Sequence, residues 1–142
     1  MMKLRSAITV FVSACGLVIA SSGCSPVQTV ATVEPGVSFT LAPGQAATVR
    51  GTNTQITLKQ VREDSRCPVD VTCVWEGDAK IEIVVSRDGA TEETKILSLR
   101  SPGSEAQAGR LRIRFVGLSP VPRQADANRP RKYLAEFVAD AL

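Results

Sequence analysis

The chain has 142 residues and a formal net charge of +3, with 44% hydrophobic and 22% charged residues. That is one domain's length and a globular composition, not that of a disordered segment. The absence of histidine excludes histidine-dependent catalytic triads and histidine-ligated metal centres. Two of the positive charges, Lys3 and Arg5, precede an apolar run; without them 15 basic side chains meet 14 acidic ones, too even a balance for bulk attraction to nucleic acid.

Residues 1–5 are basic, residues 7–20 are apolar apart from Thr9, Ser13 and Gly16, and Ser21, Ser22, Gly23 and Cys24 follow. This is the three-part plan of an export signal. Its apolar run is shorter than the ~20 residues a helix needs to cross a ~30 Å hydrocarbon core. Cys24 after small residues resembles the lipobox of bacterial lipoproteins. Gly23 and Ser22 fit its −1 and −2 positions, and Ser21 stands where an aliphatic residue is usual. The resemblance implies a lipoprotein signal peptide over 1–23 and acylation of Cys24; residues 24–36, small and polar with alternating Val27, Val30 and Val33, read as a lipid-anchored tether, with a first strand of the sheet as the alternative. By the same resemblance, Ser25 permits outer-membrane delivery in an organism that has such a membrane. Two rival cleavages remain open. Val12-Ser13-Ala14-Cys15 matches the lipobox letters better but leaves an apolar run of only about seven residues. Ala20-x-Ser22 suits ordinary signal peptidase, which would release a soluble secreted protein.

The cysteines are Cys15, Cys24, Cys67 and Cys73. If Cys15 leaves with the leader and Cys24 carries lipid, a single pair remains. In an oxidising compartment Cys67 and Cys73 should then be bonded to each other. Closing so short a loop constrains the unfolded chain by about 2–2.5 kcal/mol.

Residues 37–142 read as one all-β domain. The alternation of Val37, Phe39 and Leu41 with polar residues predicts a half-buried strand. Pro43-Gly44 marks a turn, 46–50 a short strand, and 55–62 a longer one with Ile56, Leu58 and Val61 inward. The slip of phase between Leu58 and Val61 predicts a bulge. Residues 79–86 alternate through Ala79, Ile81, Ile83 and Val85, and Asp88-Gly89 signals a hairpin to a strand over 94–99. Residues 101–109 are small and polar and read as loop. Leu111, Ile113 and Phe115 mark another strand. A proline-rich crossing over 119–130 precedes a last strand over 132–139, whose end also suits a helix. About seven short strands between Gly, Pro and Asp turns predict an antiparallel β-sandwich, with Ig-like or barrel-like closure as the alternative.

The densest stretch is residues 64–79. It resembles a D-S-R-C-P-x4-C-x-W-x-G-x-A pattern of small bacterial exported and lipid-anchored proteins. The matching residues are Asp64, Ser65, Arg66, Cys67, Pro68, Cys73, Trp75, Gly77 and Ala79. The F-x-L-x-x-G strand through Phe39, Leu41 and Gly44 is similar too. The resemblance implies an all-β lipoprotein-like domain and carries no activity with it. Trp75 lies two residues after Cys73, so an extended chain would turn both to one face and pack the indole near the disulfide.

Each chemical reading of this stretch has a plainer rival. Redox disulfides favour C-x-x-C at a helix start, whereas five residues separate these cysteines, so a structural staple is expected. Two thiolates without histidine are a short ligand set, and no metal is expected. Asp64, Asp70, Glu76 and Asp78 lack EF-hand spacing, and an Asp64–Arg66 or Glu76–Arg66 ion pair bracing the loop competes with calcium. Arg110, Arg112 and Arg114 form a stripe that could meet phosphates of lipid or of an anionic wall polymer; the plainer reading pairs them with Glu82, Glu92 or Glu93 across a sheet. No G-x-S-x-G, S-x-x-K, P-loop or G-x-G-x-x-G spacing occurs. The expectation is therefore a non-enzymatic envelope lipoprotein without cofactor, held to a membrane by lipid on Cys24. Its partner would be an envelope protein or anionic envelope polymer, not nucleic acid. The alternative is a soluble secreted binding or inhibitor module presenting the disulfide loop.

Overall fold

The computed structural model describes residues 30–88, 91–100 and 102–142; the leader, Cys24 and residues 25–29 lie outside them. Among the described residues there are nine strands: β1 (Val30–Val33), β2 (Ser38–Leu41), β3 (Ala46–Val49), β4 (Thr54–Asp64), β5 (Ala79–Arg87), β6 (Thr91–Ser98), β7 (Glu105–Ala108), β8 (Leu111–Ser119) and β9 (Leu134–Ala141). A single 3-10 turn, Gln124–Asp126, interrupts the crossing between β8 and β9. One sheet has the order β1-β3-β4-β5-β6 and the other β2-β9-β8-β7. All pairs are antiparallel except β1 with β3. The all-β sandwich expected from alternation is the fold. Among the described residues no helix is long and apolar enough to cross a membrane.

Seven of these strands carry their own period-2 pattern. The other two, β1 and β7, are short edge strands in stretches whose composition predicts tether and loop. Their pairing comes from a neighbour that already presents an open row of backbone donors and acceptors. The tether read over 24–36 therefore includes β1, which joins the domain. The final segment, open to strand or helix by sequence, is β9, with Ala135, Phe137 and Ala139 inward.

The core lies between the sheets. Val49, Ile56, Leu58, Ile81, Ile83 and Leu97 come from one side, and Leu41, Leu111, Ile113, Phe115 and Phe137 from the other. Phe137 is the central aromatic contact, 5.7 Å from Phe39 and 5.9 Å from Phe115 between ring centroids.

The phase slip on β4 is real, and it places charge. Leu58 pairs with Ile83 but Gln60 with Glu82, and Val61 pairs with Ile81 but Glu63 with Lys80. Lys59 and Arg62 are thus the two extra residues of successive bulges. Both reach the same carboxylate: Lys59 Nζ lies 2.8 Å and Arg62 Nη1 2.9 Å from Glu82. Gln60 Nε2 also donates to it at 2.9 Å. Glu82 is only 5% exposed, a position a carboxylate occupies only with such partners.

The hydrogen bonds from Lys59 and Gln60, with the Lys59 and Arg62 charges, outweigh burial and hold the Glu82 carboxyl down at about 2. Its folded value lies below the unfolded glutamate value of about 4.3. The stabilisation it gives is therefore complete above that value and is lost as pH falls from there toward about 2. Chemical denaturation across that window should show a falling midpoint. Glu82→Gln should lower the midpoint near neutral pH and flatten its acid dependence.

Candidate binding surface at the disulfide end

The loop between β4 and β5 meets the crossing between β8 and β9 at one end of the sandwich, and Asp64 joins them. Its side chain is 4% exposed and accepts from three residues. Arg66 donates through Nε at 2.7 Å and Nη2 at 3.0 Å, a two-pronged pair. Arg131 Nη1 donates at 2.9 Å and the Tyr133 hydroxyl at 3.1 Å. Arg66 then spends its remaining donors on the carbonyls of Leu118 and Pro120. Burial would raise the Asp64 carboxyl, but the hydrogen bonds and charge of Arg66, with the Tyr133 hydroxyl, hold it below the ordinary aspartate value.

Beyond Asp64 the two arms of the loop continue the β4–β5 ladder. The amide of Ser65 donates to the carbonyl of Asp78 at 2.8 Å, and that of Cys67 to the carbonyl of Glu76 at 3.0 Å. Gly77 faces Ser65 across this ladder with φ +68°, and a Cβ there would fall 1.8 Å from the Ser65 carbonyl oxygen. Only glycine fits. The Cys67–Cys73 disulfide is formed, with Cα atoms 6.0 Å apart. Arg100 bonds Glu76 and the carbonyl of Gly77. The loop tip docks on the β8–β9 crossing: the Val69 amide donates to the Pro122 carbonyl at 3.0 Å, and Asp70 accepts from the Gln124 amide at 2.8 Å.

Trp75 does not pack on the disulfide. It is 79% exposed, and Val74 beside it is 101% exposed. The expectation of a shared face fails because residues 67–77 are not an extended strand; turns and bends between Pro68 and Trp75 reorient the chain. Val69, Val71 and, from the facing crossing, Val121 are also exposed. Five exposed apolar side chains thus sit on this loop and on the crossing it meets. Beside Val121 a cleft of about 390 Å³ is lined by Pro120, Leu134, Arg129, Arg131 and Lys132.

The acidic residues near the loop are separately engaged. Asp64 serves Arg66, Arg131 and Tyr133; Asp70 caps Gln124; Glu76 takes Arg100; and Asp78 accepts from the Ser98 hydroxyl at 2.6 Å. Among the described residues no group of acids and cysteines is placed to hold a metal ion. The expected Asp64–Arg66 pair forms, whereas Glu76 turns to Arg100 instead of Arg66.

The arginine stripe lies elsewhere. Arg112 and Arg114 are on β8, and Arg110 is in the turn before it, toward the end opposite the disulfide. Glu82, Glu92 and Glu93 belong to the other sheet. The partner of Arg114 is instead Asp140 on β9, at 2.8 Å. In the β8–β9 register, invisible along the sequence, Asp140 lies opposite Arg112 and diagonal to Arg114, and its ion pair is with the diagonal neighbour.

No protein-family model, curated protein or solved structure matches the chain.

Two outcomes test this architecture. Asp64→Asn strands two arginines in a poorly hydrated site and should cost about 2–4 kcal/mol in denaturant unfolding, whereas Glu63→Gln at a half-exposed surface pair should cost no more than about 0.5 kcal/mol. Alkylation of the protein without reductant should leave Cys67 and Cys73 unmodified, and Cys67→Ser should lower stability by about 2–4 kcal/mol.

Proposed function

We propose that this protein is a non-enzymatic binding domain of the bacterial cell envelope, exported, held to a membrane by lipid on Cys24, and engaging its partner with the disulfide end. One observation carries the binding role. The loop is braced by a buried ion-pair network, a disulfide and a glycine-dependent ladder, yet its largest apolar side chains face outward. A chain collapsing for stability alone would bury Trp75. A rigid scaffold displaying aromatic and aliphatic side chains loses little conformational freedom when it binds.

Export is supported by the three-part leader and by a disulfide of the kind that persists outside the cytoplasm. The anchor is supported by the lipobox resemblance at Cys24. The Arg112 region offers a second polar surface for an anionic polymer, with Asp140 already neutralising Arg114 there.

Cells grown with labelled palmitate should yield a labelled protein in the membrane fraction, and Cys24→Ala should abolish the label. An unlabelled mature chain in the medium, beginning after Ser22, would establish the soluble secreted module instead.

A further inference from the structure

The direction of β1 relative to the loop bears on what the exposed side chains touch. β4 ends at Asp64, at the disulfide end. β3 runs antiparallel to β4, and β1 parallel to β3. The chain therefore enters β1 from the side of the disulfide end and runs away from it. Val30 is level with Ala46, which is level with Thr57. From Thr57 to Asp64 the body extends about 17 Å, five ladder steps at strand spacing once the two bulges are set aside, and the ladder runs about 10 Å further to Cys67. From Cys24 to Val30 the chain can span at most about 22 Å. A lipid on Cys24 is thus tied to the body by a leash no longer than the distance from Val30 to the loop.

The surface at that end suits a bilayer. Val74 and Trp75 are the most exposed of the large apolar side chains among the described residues, and Val69, Val71 and Val121 are exposed on the same loop and on the crossing it meets. An indole with its apolar rings and single polar N–H favours the headgroup boundary. Arg129 and Lys132 are exposed at the cleft next to Val121. Arg129 shares its charge with Asp126, and no acid is paired with Lys132 among the described residues. Cations at that height attract anionic phosphates.

The geometry points to a second, non-covalent membrane contact: Val74 and Trp75 enter the interface of the same bilayer that holds the acyl chain, and Arg129 and Lys132 meet its anionic headgroups. This rests on the anchored reading proposed above, and it names the partner of the loop as the lipid surface.

The sequence supplies the probe, because Trp75 is the only tryptophan. The exported protein, purified from cells, is placed with vesicles of phosphatidylglycerol and phosphatidylethanolamine, and mass spectrometry of the same sample scores the lipid on Cys24. Trp75 emission should move to shorter wavelength, be quenched by bromines on the acyl chains, and be shielded from iodide in the buffer. Val74→Asp, at a position with no packing role, should remove the shift and quenching while the disulfide remains formed. Arg129→Glu with Lys132→Glu should reduce quenching on phosphatidylglycerol and leave it unchanged on phosphatidylcholine. An acylated sample whose Trp75 stays unquenched and open to iodide overturns the inference. Protection that appears only when other envelope proteins are added overturns it too, in favour of a protein partner. If Cys24 carries no lipid, quenching in the added vesicles keeps the contact and retires the anchor; no quenching retires both.

Discussion

A carboxylate removed from water must have its charge answered within the protein, and around Asp64 that requirement organises a whole end of the molecule. Its partners come from two stretches: Arg66 just past β4 and, far along the chain, Arg131 and Tyr133 just before β9. Arg66 extends the network to carbonyls at the end of β8. Backbone oxygens that leave a sheet would otherwise need water; here a guanidinium takes them. The two sheets are joined at this end by polar geometry, and in the middle by Val49, Ile56, Leu58, Ile81 and Ile83 of one packing against Leu41, Ile113, Phe115 and Phe137 of the other.

The same logic appears at Glu82 in a different setting. Bulges on β4 bring Lys59 and Arg62 to one acid that a regular ladder would have paired with fewer donors. Irregularity in the strand thus serves electrostatics. The two sites differ in what they leave outside. Glu82 is bonded by side chains of the neighbouring strand β4, while Asp64 sits at the base of a loop on which Val69, Val74 and Trp75 are exposed. Stability at the disulfide end is supplied from below, and the upper surface is free to be apolar.

Much of this was legible in the chain. Alternation placed Ile56, Leu58, Ile81, Ile83, Val85, Leu111, Ile113 and Phe115 inward, because a strand with one covered face has no other way to order its side chains. The slip between Leu58 and Val61 located a bulge, though not the charges it gathers. The cysteine count led to the Cys67–Cys73 bond, and neighbouring opposite charges suggested the Asp64–Arg66 pair. The edge strand β7 was not legible, since its partner rather than local pattern specifies it; β1 was legible only as a tether whose alternating valines could join the sheet. Nor were Arg131 and Tyr133, which approach Asp64 only once β9 lies against β8. Trp75 misled for the opposite reason: spacing of two has meaning in a strand and none in a turning loop. The proline-rich crossing looked like connection alone, yet it forms half of the candidate surface.

One further property follows from how the first sheet terminates. One of its two outer strands, β6, carries Glu92, Glu93 and Lys95 and is paired on one side only among the described residues. On the proposed anchor, copies would share a plane and collide far more often than in bulk solution. A bare strand margin would then invite copies to zip together into fibrils. Charges spaced along β6 make such self-templating unfavourable, so crowding on a surface need not end in aggregation.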